Sequence, residues 1–235
     1  MKTLFKVILR TIFISSILMT SQVHAGGERD PLLTYFLMDT LEISDQTGNP
    51  TSWGVTSWIG KDWHKIYLKF EGETLHGQTE SENQLLYSHP IEKYWDLQMG
   101  VGYDTTPEKN QNWAVIGLQG LAPYFFETNA AVVINDKNIG FRFETEYEAL
   151  FTQKLILTPS LKLSAYSSDD ASMGIGSGLS SAELGLRLRY EFSRKFAPYI
   201  GLKFNRAFGK TADYLIAEGG KKSDTSLMAG LRFWF

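Results

Sequence analysis

The 235-residue chain contains no cysteine. That excludes a disulfide framework, a thiolate metal site and a thiol nucleophile. Histidine is scarce, at four residues, and no H-E-x-x-H, EF-hand or zinc-type spacing appears among them. Beyond residue 25 no stretch supplies the ~20 consecutive apolar residues of a spanning helix. Basic excess is missing as well: 23 Lys and Arg stand against 26 Asp and Glu, which is no footprint for a nucleic-acid partner. Gly174-Ile-Gly-Ser-Gly178 has no strand-to-helix unit around it and reads as a flexible loop, not a phosphate loop. His76 with Ser81 close by is the one Ser–His neighbourhood for outer-leaflet hydrolase chemistry. Such proximity is commonplace in polar loops, and the chain reads as non-enzymatic.

The head of the chain has an export pattern. Lys2, Lys6 and Arg10 precede an apolar run from Thr11 to Met19, and Val23-His24-Ala25 offers a small-residue cleavage site. This predicts a signal peptide over 1–25 and a mature start at Gly26. Its removal leaves 20 basic against 26 acidic residues, a charge of −6. Residues 26–31 then form a short periplasmic extension, and 32–235 the folded domain.

From residue 32 onward the dominant signal is alternation. In Ser226–Phe235, Leu227, Ala229, Leu231, Phe233 and Phe235 share one face, with Ser226, Met228, Gly230, Arg232 and Trp234 on the other. Ile139–Ala149 sets Phe141, Phe143 and Tyr147 against Arg142, Glu144, Glu146 and Glu148. A helix would scatter those three glutamates; a strand gathers them on one side. Twelve such segments are predicted, near 32–43, 53–60, 63–73, 79–87, 93–103, 112–121, 124–134, 139–149, 154–166, 179–192, 197–208 and 225–235. An even number of ~10-residue alternating strands behind an export signal predicts an all-β transmembrane antiparallel barrel in the Gram-negative outer membrane. The mean hydropathy of −0.18 agrees, because half of each strand faces a polar lumen.

The connections alternate in length. Lys61-Asp62, Ala122-Pro123, Leu150–Gln153 and Ser193–Phe196 are short, whereas Ser44–Pro50, Asp104–Gln111, Ser167–Gly178 and Gly209–Asp224 are long. Short turns belong to the periplasmic side and long loops to the exterior, so both termini are expected in the periplasm. Trp63, Tyr94, Trp95, Tyr124, Phe126, Tyr190, Phe192, Phe233 and Phe235 gather at the inner interface as an aromatic girdle against outer-membrane lipid. The predicted lumen is densely charged. Glu144, Glu146 and Glu148 form a ladder able to draw cations, while Arg187 and Arg189 with neighbouring acids form an ion-pair network across adjacent strands. A wide general porin is excluded, since those take 16 or more strands.

Several stretches resemble the outer-membrane copper resistance protein B family. They are Trp58-Ile-Gly-Lys-Asp62, Lys69-Phe-Glu-Gly-Glu73, Tyr94-Trp-Asp-Leu-Gln-Met-Gly-Val-Gly-Tyr-Asp104 and Gly117-Leu-Gln-Gly-Leu-Ala-Pro-Tyr124. Further on come Glu144-Thr-Glu-Tyr147 with Leu155-Ile-Leu-Thr-Pro159, Gly185-Leu-Arg-Leu-Arg-Tyr-Glu191, Phe196-Ala-Pro-Tyr199, Phe208-Gly-Lys-Thr-Ala-Asp213 and Ala229-Gly-Leu-Arg-Phe-Trp-Phe235. The resemblance implies an outer-membrane barrel in copper tolerance, with copper as its ion and a periplasmic multicopper oxidase as its partner. Many family members carry a Met- and His-rich segment before the barrel; here Gly26–Pro31 contains neither residue.

Thioethers suit Cu(I), and imidazole suits copper in either oxidation state. After the signal the candidates are Met38, Met99, Met173, Met228, His64, His76 and His89. Alternation sends Met99 to lipid and leaves Met173 in an outer loop. The three histidines read as solvated rim or loop residues. Met38, grouped with Thr34, Phe36, Thr40 and Glu42, and Met228, grouped with Ser226, Gly230 and Arg232, are both predicted to point inward on the first and last strands. Those strands are neighbours in a closed barrel, so the two thioethers are expected either to form a weak Cu(I) site or to fill space.

Overall fold

In a computed structural model, which describes residues 30–235, alternating segments pair in chain order into one antiparallel sheet. The strands are β1 (Leu33–Ser44), β2 (Thr51–Gly60), β3 (Lys65–Leu75), β4 (Gln78–Glu92), β5 (Trp95–Thr105), β6 (Asn110–Ala122) and β7 (Phe126–Ile134). They continue as β8 (Ile139–Glu146), β9 (Ala149–Leu150), β10 (Leu155–Tyr166), β11 (Gly178–Tyr190), β12 (Phe196–Ala207) and β13 (Ser223–Trp234). Pairing of β13 with β1, Leu37 opposite Trp234 and Ser44 opposite Met228, closes the sheet. Closure satisfies the last free edge, which a bilayer demands because lipid offers no hydrogen bonds. The predicted signal peptide lies outside the described residues, as do positions 26–29 of the predicted extension.

Segments β8 and β9 are halves of one barrel strand, which makes the barrel twelve-stranded. The single strand predicted over 139–149 is interrupted at Tyr147-Glu148. The cause is Pro159 on β10, which has no N–H to donate. Tyr147 N–H still donates to the Pro159 carbonyl at 3.1 Å, but regular pairing resumes only at Ala149 opposite Leu157.

Strand β1 departs from strict alternation. Met38 lies opposite Val55, yet Thr40 lies opposite Gly54, so Asp39 is an extra residue in a bulge. Inserting one residue reverses the facing of everything before it. Tyr35, Leu37 and Asp39 therefore turn into the lumen beside Thr40 and Glu42. Thr34, Phe36 and Met38 turn to the lipid side, where Phe36 meets Phe233 and Phe235 with ring centres 6.3 and 6.4 Å apart.

At the end bearing the termini the connections are tight turns, such as Lys61–His64, where Lys61 N–H donates to the His64 carbonyl. At the other end two longer connections carry structure of their own. Residues 167–177 contain a 3-10 turn (Ala171–Met173), and residues 208–222 contain helix α1 (Gly209–Ala217). The helix was not expected from the sequence. The two pack together: Thr211 Oγ1 accepts from Gly176 N–H at 2.7 Å and lies 2.6 Å from Ser180 Oγ, while Lys210 pairs with Asp169 at 2.5 Å. Ile175 tucks into the barrel mouth against Trp113, Val115, Val133 and Tyr166, giving an apolar cluster inside an otherwise polar lumen.

Candidate functional site: the charged lumen

Inward-facing side chains enclose a cavity of about 930 Å³ running most of the barrel's length. Near the terminal end its floor is aromatic. Tyr35 stacks on Trp58 at 5.9 Å, Trp58 meets Tyr67 at 6.1 Å, and Trp234 lies 6.4 Å from Tyr35. Four adjacent strands thus each contribute one ring.

Above this floor lies a network of ion pairs, many reaching across the lumen. Lys162 on β10 pairs with Glu71 on β3 at 2.8 Å, a span between diametrically opposed strands. It also binds Glu144 on neighbouring β8 at 3.0 Å. Arg142 holds Glu82 at 2.7 Å and Asp104 at 2.5 Å, four and three strands away respectively. Glu42 collects Arg187 at 3.4 Å, Lys203 at 3.9 Å and a hydrogen bond from Tyr199 at 3.0 Å. Arg232 bridges Asp39 at 2.7 Å and Glu148 at 3.4 Å, and Glu148 also holds Arg189 at 2.5 Å. The pairing expected between adjacent strands is therefore joined by pairing across the bore, because twelve strands make a barrel narrow enough for long side chains to span.

Of the predicted ladder, Glu144 is taken by Lys162 and Glu148 by two arginines. Among the described residues Glu146 forms no ion pair or hydrogen bond, and neither does Glu127, directly opposite it on β7. Around the cavity eleven carboxylates face six cationic side chains. Lys69 forms no ion pair with them; it donates to Gln98 at 3.1 Å and Gln119 at 2.8 Å. The bore is thus net acidic, with Glu80, Glu127, Glu146 and Glu183 left without a cationic partner among the described residues.

The thioethers fall differently from the prediction. Met228 is inward and buried at 3% exposure. Met38 lies on the lipid side, opposite Val55 and Phe233, and five residues along the sheet from Met228's level. The bulge at Asp39 separates this pair and the structure does not bring the two sulfurs together. Met173 lies in an outer loop, as expected, and from there lines the cavity at its mouth and packs against the Tyr166–Ile175 cluster. Met99 is lipid-facing at 41% exposure. No group of three or more His, Asp or Glu among the described residues is arranged to hold a metal ion. His76 sits in a left-handed turn against Gly48, with no bond to Ser81, whose hydroxyl accepts from Asn83. His64 and His89, read separately in the sequence, are brought together at the rim with ring centres 5.4 Å apart.

A closed twelve-stranded antiparallel sheet with an apolar exterior and a charged bore defines an outer-membrane-type β-barrel. The solved structures bear this out at the level of fold: the NanC porin (TM-score 0.56, 10% identity, covering 86% of this chain and 99% of that one) and the KdgM porin (TM-score 0.53, 10% identity, with the same coverage) share it. Sequence carries the assignment further. The family profile described as "Copper resistance protein B precursor (CopB)" matches residues 32–235. Copper resistance protein B of Escherichia coli is 47% identical over 211 residues, covering 88% of this chain and 71% of that protein. The homolog from Pseudomonas syringae pv. tomato is 41% identical over 217 residues, covering 91% and 72%. The chain belongs to the copper resistance protein B family.

Proposed function

We propose that this barrel, placed in the outer membrane after cleavage of residues 1–25, contributes to copper resistance by binding and passing copper ions through its lumen. The observation that carries this reading is the acidic bias of the lumenal cavity in a member of this family, eleven carboxylates to six cations. A narrow acidic channel concentrates cations, and carboxylates without a cationic partner give them places to rest. Met173 supplies a thioether at the mouth, where a soft ion first meets the wall. Glu127 and Glu146 are the resting place nearer the aromatic floor. On the periplasmic side the ion would pass to a multicopper oxidase, the partner expected from the family resemblance.

The test is copper entry into sealed vesicles carrying the barrel, followed with an enclosed chelating dye. We expect entry above that of empty vesicles, and a several-fold slower rate for Glu127→Gln/Glu146→Gln. Equal rates for the barrel and empty vesicles would overturn the proposal. That result would favour a second reading, a copper-independent barrel braced shut, which the cross-lumen bridges Lys162–Glu71 and Arg142–Asp104 support.

A further inference from the structure

The rim bearing the chain termini carries a pair of imidazoles that neither the lumen nor the girdle accounts for. His64 closes the β2–β3 turn, and His89 lies near the end of β4. Pairing of Ile66 with Tyr87 and of His89 with Leu97 puts Tyr87 and His89 on the outer wall, away from the bore. There the two histidine rings stack with centres 5.4 Å apart and planes 28° from parallel. His64 also stacks on Tyr87 at 5.9 Å, and His89 lies beside Trp63 at 6.1 Å. His64 and Trp63 are exposed residues of the β2–β3 turn, which puts the pair at the rim.

Both rings are anchored through the same nitrogen. His89 Nδ1 is 2.8 Å from the Trp63 carbonyl. A carbonyl only accepts, so Nδ1 carries the proton and the lone pair is left on Nε2. His64 Nδ1 is 2.5 Å from the Tyr87 hydroxyl, which can accept a proton bond in the same sense. A metal-ligating histidine is oriented in this way, with one nitrogen fixed by a second partner and the other left free for the ion. Two nitrogens each about 2.0 Å from one ion lie within about 4 Å of each other, so the two stacked rings, with centres 5.4 Å apart, would have to turn their Nε2 edges towards each other to share an ion.

We propose that His64 and His89 form a two-nitrogen copper site on the periplasmic rim, with Tyr87 as its positioning residue. Imidazole donors without thiolate or a carboxylate cage favour copper over zinc and nickel, in line with the order of divalent affinities. Two protein ligands leave coordination positions open to water, which suits an ion that is held and handed on. The site lies outside the bore, so it stands or falls separately from passage through the lumen.

The experiment is copper(II) titration of the tag-free, folded barrel in detergent, monitored by electron paramagnetic resonance and by quenching of nearby tryptophan emission. We expect one saturable site whose hyperfine pattern shows two imidazole nitrogens. His64→Phe and His89→Phe should each weaken it at least tenfold, and Tyr87→Phe roughly tenfold with the two-nitrogen pattern broadened. The doubly substituted barrel supplies the background from the chain's amino terminus. Copper affinity unchanged in His64→Phe/His89→Phe would overturn the assignment. So would zinc displacing copper at equal concentration. Heat-modified mobility in gels, retained by all four variants, shows that any loss of binding is not a loss of fold.

Discussion

Arg142 shows what a single charged side chain does inside this barrel. Its guanidinium joins β8 to Asp104 on β5 and Glu82 on β4, takes Tyr166 as a further neighbour at 3.2 Å, and lies over the Trp113 ring at 5.7 Å. Removing one partner of such a pair strands the others, and Asp104 is the more exposed to that cost because its side chain is only 8% accessible. Glu82, at 51%, can turn to water. We therefore expect Arg142→Ala to lower stability by about 3 kcal/mol, the low end of the range for broken buried pairs. Urea unfolding in detergent measures it. Arg142→Lys should recover only part, since an ammonium cannot address two carboxylates with the fork of a guanidinium. Alternation placed Arg142 in the bore, but it could not show which acids the arginine meets, because Glu82 and Asp104 are 60 and 38 residues away in sequence.

Strand β1 is where period-two reasoning failed, and it failed for one residue. An inserted Asp39 leaves no mark in composition, and the alternation Thr34, Phe36, Met38, Thr40, Glu42 looks unbroken. The bulge wins because it sends Tyr35 to Trp58 and Asp39 to Arg232, while Phe36 joins the lipid-side aromatics. Deleting Asp39 should force one half of β1 to the wrong face, and we expect the barrel to lose heat-modified mobility on gels. At the opposite end, α1 and the 167–177 loop are clamped by Asp169 and Lys210. The hydrogen bond from Lys210, helped by Ser177, lowers the Asp169 carboxyl to about 2, and the same bond raises the Lys210 ammonium. A depressed carboxyl contributes stability in full above its unfolded value near 3.8 and loses it as pH falls through about 2. The lysine's share is complete below its unfolded value of 10.5 and fades as pH rises past it. Protection of the α1 amides, measured as exchange relative to free peptide at the same pH, should thus be high at neutral pH and fall as the pH drops towards 2. Asp169→Asn should lower it at neutral pH, leaving barrel-strand amides unchanged.

The barrel as a whole is narrow, closed and braced across its bore. Its stability comes from closure and lumenal pairing, while the proposed passage of an ion would rest on those acids that the bracing leaves over. Both follow from twelve strands, wide enough for a cavity of about 930 Å³ yet tight enough for Lys162 to reach Glu71. A strain lacking the barrel should be more sensitive to copper, and the wild-type chain should restore tolerance. If the lumen carries the role, Glu127→Gln/Glu146→Gln should restore it only in part, measured as growth across a copper series with periplasmic copper quantified.

Strand number, antiparallel order, the inward row of glutamates and the aromatic rim were all readable along the chain, because each follows from local alternation and turn chemistry that neighbouring residues enforce on one another. The inward Met228 was placed correctly for the same reason. Partners separated by tens of residues around a closed circumference were not readable: the bridges across the bore, the fold of the outer loops into a cap, and the meeting of His64 with His89. Those depend on barrel radius, register and the one-residue bulge at Asp39, quantities that exist only once the sheet has closed on itself.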